Sequence, residues 1–232
     1  LSDAARSVVL IIACLCRVPV ATGEGTIDTM PASISIAEID RDPSVAACSL
    51  TARNGETIAF RPLVADDGAA LGVYFRGLSV LTRSRFAPHP FDQATADAVC
   101  ASIDRGTTLR MVGDAGGRIV SYFLLNFAFD PREVERYTAA GVTLDVHADC
   151  RVAPCVADAY QNQQLGGVML AHLLDLARRL GRRRVILWGG VQARNERARY
   201  FYLKHGFTDV GQFMATAPDG QHINNYDMMR EL

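Results

Sequence analysis

A polar turn at residues 161–167 contains the residues best suited to chemistry in this sequence. Its residues are Gln161, Asn162, Gln163, Gln164, Leu165, Gly166 and Gly167. The turn opens directly into an apolar-periodic stretch, and glycines let the backbone come close to a ligand. Because the free N–H groups and the dipole of a helix N-terminus attract anions, the turn predicts a phosphate-binding site. A strand, a Gly-Gly turn and a helix also describe an ordinary structural connection, so this alternative stays open for the turn alone.

A second segment, residues 195–207, combines a helix-capping residue with aromatic residues at helical spacing. Asn195 precedes the helical pattern, Phe201 and Tyr202 lie within it, and Gly206 ends it. A tyrosine hydroxyl can donate a proton, and an asparagine amide can hold a ligand. The structural alternatives are a plain N-cap for Asn195 and a half-buried aromatic residue for Tyr202.

Three neighbouring elements must position these segments. After the turn, leucines recur at three- and four-residue spacing, which predicts a helix that Gly181 can end in the left-handed conformation. Residues 147–157 and 183–188 are predicted to be strands. Pro154 falls inside the first of them, and because proline has no N–H it predicts an interrupted or splayed sheet there.

The remaining elements complete one α/β domain, predicted to span residues 57–232. In chain order they are a strand at 56–62, helices at 66–84 and 92–104, a hairpin of strands 108–114 and 118–129, a polar connection at 130–146, the strand, helix and strand described above, a helix at 196–205, and strands at 207–213 and 225–232 joined by a turn at 217–220.

The first 56 residues are predicted to lie outside this domain. Residues 30–56 are weakly periodic, which predicts a loosely docked extension. Residues 1–29 hold an apolar run at 8–16 that is far shorter than the roughly 20 residues needed to cross a bilayer. The run resembles a secretory signal only weakly, and the preferred hypothesis is an over-long reading frame with Met30 as the biological start.

Composition argues against several functions. The chain has 232 residues, 21% of them charged and 49% hydrophobic, and its net charge is −1. No basic field therefore attracts it to nucleic acid or to an anionic membrane, and a small molecule or a protein is the expected partner. The six cysteines show neither a C-x-x-C pair nor zinc-ligand spacing, which predicts no metal site and reduced thiols in a cytoplasmic protein.

These features together resemble the GNAT superfamily of acetyl-CoA-dependent N-acyltransferases. Residues 161–166 resemble its Arg/Gln-x-x-Gly-x-Gly/Ala pyrophosphate loop, and residues 195–207 resemble its Asn-x-x-Ala-x-x-Phe-Tyr-x-x-x-Gly-Phe segment with no position missing. The order of elements over residues 57–232 is also similar. The resemblance implies an α/β fold with a mixed central sheet of about six to seven strands, flanked by about four helices.

The resemblance also implies roles for individual residues, with acetyl-CoA as the co-substrate and a primary amine on a small molecule or a protein as the acceptor. The backbone amides of residues 161–167 would hold the pyrophosphate, and Asn195 would contact the cofactor arm. A backbone N–H where two strands part would polarise the thioester carbonyl, and because Pro154 has none, Cys155 or Val156 would supply it. Tyr202 would protonate the departing sulfur of CoA.

For several other residues the resemblance implies a role, but a purely structural or solvent-exposed position is the alternative. His147 and Asp149 would provide the general base, unless they face solvent. Glu133 and Glu135 would border the acceptor pocket and select a cationic amine, unless they are simply solvated. The run of three arginines from Arg182 to Arg184 would reach the 3′-phosphate of CoA, unless it is a solvated cluster near a helix C-terminus.

The sequence departs from the family pattern at Gln164, where the family has glycine. A side chain there would change the backbone conformation or crowd the pyrophosphate, because glycine serves both positive φ and close approach. The leading hypothesis is an N-acetyltransferase, and the alternative is a catalytically silent acyl-CoA-binding or regulatory module. A Rossmann-type enzyme is disfavoured because the loop lacks G-x-G-x-x-G. No motif identifies the acceptor amine, and both a monomer and a homodimer remain open.

Overall fold

A computed structural model describes residues 32–216 and 220–232, which form one nine-stranded sheet with helices on both faces. The strands are Cys48–Thr51 (β1), Thr57–Pro62 (β2), Thr108–Asp114 (β3), Ile119–Asn126 (β4), Asp149–Val156 (β5), Arg184–Leu187 (β6), Val191–Gln192 (β7), Thr208–Thr216 (β8) and His222–Glu231 (β9). The α-helices are Ile36–Arg41 (α1), Gly68–Gly77 (α2), Val80–Arg85 (α3), Gln93–Ala101 (α4), Pro131–Ala139 (α5), Leu165–Arg179 (α6) and Glu196–Lys204 (α7).

The sheet is mixed, as expected. Its order is β1-β2-β3-β4-β5-β6-β9-β7, and β8 pairs with β9. Among the described strands, only β5 and β6 pair in parallel, while the other pairs are antiparallel. The α/β class is therefore confirmed, and the strand number exceeds the expected six to seven because β1 and β7 add to the predicted set.

Helix α6 forms as its apolar spacing predicts. Leu170, Leu173 and Ala177 are fully buried against the sheet. At its end Gly181 has a φ of 75°, and the N–H of Arg182 bonds to the carbonyl of Ala177 at 3.0 Å. This left-handed closure ends the helix and directs the chain into β6.

The expectation of a loosely docked segment at residues 30–56 is wrong for its described part. Strand β1 pairs antiparallel with β2 along its whole length, and Ile39 on α1 is fully buried. The signal for this hairpin was present in the sequence, because Asn54-Gly55 between two strand-forming runs favours a tight turn.

Two further predictions of local structure are corrected. Residues 130–146 contain helix α5 rather than only a connection, with Asp130 as its N-cap and Pro131 at its first position. Its polar sequence concealed it, because it buries little besides Glu133 and Tyr137. The single helix expected at 66–84 is two helices, since α2 ends at Gly77 and Ser79 caps α3.

The core lies on both faces of the sheet. Alternate residues of β5 belong to different clusters: Val152 belongs to the cluster that includes α6, and Ala153 belongs to the cluster that includes α2 and α4. None of the described helices is long and apolar enough to cross a membrane. Residues 1–29, and the predicted turn at 217–220 apart from Gly220, lie outside the described residues.

Candidate active site

Strands β5 and β6 part in the middle of the sheet. Their parallel pairing runs from Asp149 opposite Arg184 to Val152 opposite Leu187, and a last hydrogen bond joins Trp188 N–H to the Val152 carbonyl at 2.9 Å. Beyond this point β5 pairs only with β4. The predicted splay near Pro154 is therefore confirmed.

A groove of about 570 Å³ opens where the strands part. This volume is within the usual range for a small-molecule site, roughly 300–1,000 Å³. All but two of the predicted cofactor-binding residues line it. The predicted residues that do line the groove are Cys155, Val156, Gln161, Asn162, Gln164, Gly166, Gly167, Asn195 and Tyr202. The structure thus gathers both predicted segments around one cavity.

The two exceptions have side chains engaged elsewhere. The Gln163 side chain donates to the carbonyl of Ala159 at 2.7 Å. The Leu165 side chain is only 3% exposed and belongs to the core beneath α6. If these two residues meet a ligand, they do so through their backbone.

The loop before α6 has a left-handed backbone at two residues that are not glycine. Asn162 has a φ of 62° and Gln164 a φ of 64°. Gln164 therefore takes the conformation that glycine would supply, and the expected change of backbone does not occur. Asparagine adopts this conformation readily, so the local strain falls mainly on Gln164.

The first turn of α6 has free amide groups. Within the described residues, the N–H groups of Leu165 and Gly166 have no hydrogen-bond acceptor, whereas Gly167 N–H bonds to the Gln164 carbonyl at 3.1 Å. Because Gln164 and Gly166 line the groove, these amides lie at its wall. This end of the helix is suited to an anion.

The backbone register of β5 distinguishes between the two candidate donors to a thioester. Ala157 N–H bonds to Val120 on β4, whereas the Val152 carbonyl accepts from Trp188 after β6. Since the direction of backbone groups alternates along a strand, Val156 N–H points into the gap and Cys155 N–H points toward β4. Pro154 shares the direction of Val156 but has no N–H to donate.

Helix α7 presents Tyr202 to the groove. Its ring packs edge-on against Phe201 and Phe207, both with ring centroids 5.3 Å away. Burial, and less strongly the nearby Cys155, raise the pKa of Tyr202 above its usual value, so the hydroxyl stays protonated near neutral pH. Asn195 caps α7, with its side chain accepting the N–H of Ala198 at 3.4 Å.

Cys155 lines the same wall but is not suited to nucleophilic attack. Burial raises the pKa of its thiol to about 12. A thiol with such a pKa is almost fully protonated at neutral pH, and the thiolate is the reactive form.

Helix α3 joins the two walls of the groove. Asp158, which follows β5, accepts hydrogen bonds from the Ser79 hydroxyl and the Thr82 hydroxyl, both at 2.7 Å. At the other end, Gln192 on β7 donates to the carbonyl of Ser84 at 2.6 Å. Because β5 and β7 lie on either side of the gap, α3 acts as a strap between them.

The expected general bases lie away from the groove. Asp149 begins β5, so it is about 20 Å along the strand from Cys155. Its carboxylate is buried in an ion pair with Arg184 at 3.3 Å. His147 is exposed beyond the same end of the strand. The prediction that His147 or Asp149 serves as the base is therefore corrected, because neither lines the cavity.

Two other groups of side chains that were expected to contact a ligand have partners elsewhere in the protein. Glu133 is 3% exposed and pairs with Arg151 at 2.9 Å, and its burial raises its pKa despite this partner. Arg183 and Arg184 pair with Asp145 and Asp149 at the far end of the sheet. Neither group offers a free charge to the groove.

Sequence reasoning missed several residues that line the groove. These are Arg53 in the β1–β2 turn, Thr82, Arg85 and Phe86 in and after α3, and Arg197 on α7. Arg197 follows the capping Asn195 by two residues, so its position on the first turn of α7 was readable. Within the described residues, no group of three His, Cys, Asp or Glu side chains could hold a metal ion.

Comparison with known proteins identifies the class to which this fold belongs. The sequence model of the acetyltransferase (GNAT) family matches residues 78–207, which is more than half of the chain. The chain belongs to the GNAT acetyltransferase family. Comparison with curated proteins gives no significant match.

Solved structures share the fold at low sequence identity. The GNAT domain of PAT from S. lividans has a TM-score of 0.59 at 17% identity, covering 82% of this chain and 99% of that one. YncA, a putative acetyltransferase from Salmonella typhimurium solved with its cofactor acetyl-CoA, has a TM-score of 0.57 at 18% identity, covering 75% and 94%. Ribosomal-protein-alanine N-acetyltransferase from Brucella melitensis has a TM-score of 0.57 at 19% identity, covering 75% and 99%. These similarities confirm the GNAT fold.

Proposed function

We propose that this protein transfers the acetyl group of acetyl-CoA to a primary amine by direct attack on the thioester. The observation that carries the proposal is the groove between β5 and β6, where an unpaired backbone donor, a helix N-terminus and a protonated tyrosine meet. A GNAT protein solved with acetyl-CoA supports the choice of co-substrate.

The residues present fit this co-substrate. The amides of Leu165 and Gly166 would hold the pyrophosphate, and Asn195 would contact the pantetheine arm. When bound, acetyl-CoA supplies the acetyl group as an activated thioester. Val156 N–H would donate to the carbonyl oxygen of that group and stabilise negative charge that develops there. Tyr202 would give its hydroxyl proton to the departing sulfur.

No protein base is evident among the described residues of the groove. Among its described lining residues there is no histidine, and the one carboxylate, Asp158, is hydrogen-bonded to α3. We therefore propose that the acceptor binds as a neutral amine and loses its proton to water. The pH dependence of kcat/KM should then follow the pKa of each amine, and a break at one pH for amines of different pKa would indicate a protein base instead.

The decisive experiment combines CoA binding with release of free thiol from acetyl-CoA across a panel of small amines, amino acids and peptides. Thiol release with at least one amine, together with acetylated product in equal amount, would establish the transferase. Tight CoA binding without thiol release on any amine would favour the silent acyl-CoA-binding module, for which the absence of a base among the described lining residues is the specific argument.

A further inference from the structure

The groove gathers arginines that have no acidic partner. Arg53, Arg85 and Arg197 line it, and none of them forms an ion pair among the described residues. Arg199, only two residues after Arg197, is paired with Asp209. Asp158, which is the single carboxylate among the described lining residues, is held by α3. The groove therefore carries excess positive charge, although the net charge of the chain is −1.

Arg197 reaches the loop before α6. It donates to the side-chain oxygen of Gln161 at 2.6 Å and to that of Asn162 at 3.3 Å. Both acceptors are neutral amides, which bind a guanidinium more weakly than an anionic oxygen does. A phosphate that arrived at this loop would compete well for Arg197, because the planar guanidinium matches phosphate geometry.

Arg53 approaches the same loop from a different element. It lies in the β1–β2 turn, and Glu56 in the same turn accepts a hydrogen bond from Tyr160, the residue just before the loop. Arg118 strengthens this junction by pairing with Glu56 at 2.7 Å and lying over the Tyr160 ring. The turn is thus anchored to the loop, and Arg53 is exposed beside it. This hairpin lies outside residues 78–207, which the family model matches.

We propose that Arg53 and Arg197 form an anion subsite that binds a phosphate monoester of the cofactor, the 3′-phosphate of CoA. The inference rests on the proposed function, because it assumes that CoA occupies the groove. CoA carries two separate phosphate groups, and the amides at the start of α6 suit the pyrophosphate. The monoester concentrates up to two negative charges on one phosphorus, whereas each phosphorus of the pyrophosphate carries one, so the monoester gains most from full cations. This subsite replaces the arginine run at 182–184, whose partners lie at the other end of the sheet.

The subsite predicts selectivity for a phosphorylated ligand. Wild-type protein should bind CoA about tenfold more tightly than 3′-dephospho-CoA, as expected for a charge-assisted contact in partial contact with solvent. Arg53→Gln and Arg197→Gln should each weaken CoA binding about three- to tenfold and change dephospho-CoA binding less than twofold. In the double variant the two ligands should bind equally. The preference should also shrink as salt is raised from 50 to 500 mM, because salt screens exposed charges.

Calorimetric titration with the two ligands separates the outcomes. Arg132→Gln, an exposed arginine on α5 that does not line the groove, is the control for net charge. If wild-type protein binds CoA with no preference for the 3′-phosphate, or if the variants lose both ligands equally, the subsite is overturned and the proposed function stands. If wild-type protein binds neither ligand, the proposed function and the subsite both fall.

Discussion

Gly167 at the start of α6 packs directly against the imidazole of His205 at the end of α7. A Cβ atom on this glycine would lie 2.9 Å from Nε2 and 3.3 Å from Cε1 of the ring. The His205 ring cannot easily move, because two contacts with Phe201 hold it. Its Nδ1 is 2.7 Å from the Phe201 carbonyl oxygen, and the centroids of the two rings are 4.3 Å apart. Gly167 therefore lets the two helices that form the groove approach each other.

Gly167→Ala should destabilise the protein by about 1–3 kcal/mol, because the added methyl group overpacks this contact. Gly166→Ala is the matched control, since its Cβ would meet only Val156 Cγ2, at an ordinary 3.5 Å. Gly166→Ala should leave stability unchanged or raise it by up to about 1 kcal/mol, while weakening CoA binding at the groove. Chemical unfolding of both variants checks this, and an equal loss of stability in the two would contradict it.

The two neighbouring glycines show what the sequence could and could not reveal. The Gly-Gly pair and the leucine spacing predicted a helix N-terminus, and that element is confirmed. The different roles of Gly166 and Gly167 depend on α7, which is about 30 residues away in the chain, so no local pattern contains them. Likewise, Asp149 lies on the predicted strand and His147 just before it, but only the point at which β5 and β6 part shows that both lie at the wrong end of that strand.

Gln164→Gly should stabilise the protein by about 0.5–1 kcal/mol. The left-handed conformation costs an L-residue roughly 1–2 kcal/mol, and the greater flexibility of glycine in the unfolded chain cancels about half of that gain. Because φ is already 64°, the loop amides should keep their direction and CoA affinity should change less than threefold. Gln164→Ala keeps the strain and removes most of the side chain. If both variants bind CoA more than tenfold tighter, the Gln164 side chain crowds the site and the prediction fails.

Tyr202→Phe should lower kcat about 100-fold or more and leave the Kd for CoA within twofold. Phenylalanine keeps the ring packing against Phe201 and Phe207 and removes only the proposed proton donor. Tyr200→Phe on the same helix is the control, because Tyr200 is 70% exposed and does not line the groove. Steady-state kinetics measures both, and a wild-type kcat in Tyr202→Phe would exclude Tyr202 from the mechanism.

Cys155→Ala should retain most of the turnover, because the thiol is proposed to take no part in the transfer. Because burial raises the pKa of this thiol to about 12, almost none of it is ionised at neutral pH. Intact-protein mass spectrometry after incubation with acetyl-CoA should show no acetylated enzyme. A covalent adduct on Cys155 that disappears when an amine is added would indicate transfer through the cysteine instead.

The failure of the sequence to predict the start of α3 has a similar physical origin. Residues 78–84 were predicted as the end of one long helix that begins at the cap formed by residues 66–68. A new helix instead begins after Ser79. The Ser79 hydroxyl donates a hydrogen bond to Asp158, which lies 79 residues later and holds the chain at this break. A hydrogen bond between polar residues so far apart in the chain produces no periodic pattern in the sequence.

Asp158→Asn should loosen α3 and increase hydrogen exchange of its amides about fivefold at pH 7, since charge-assisted hydrogen bonds to Ser79 and Thr82 are weakened by about 1 kcal/mol. Burial alone would raise the pKa of Asp158, but these hydrogen bonds outweigh it and hold the pKa below its usual value. The stabilisation is therefore complete above the unfolded-state pKa of about 4 and is lost as pH falls through the lower folded-state value. The difference between wild type and variant should accordingly vanish at low pH. The control is Asp175→Asn, which removes an exposed carboxylate on α6 and should leave hydrogen exchange of the α3 amides unchanged. Equal exchange in α3 for the wild type and both variants at pH 7 would refute the role of Asp158.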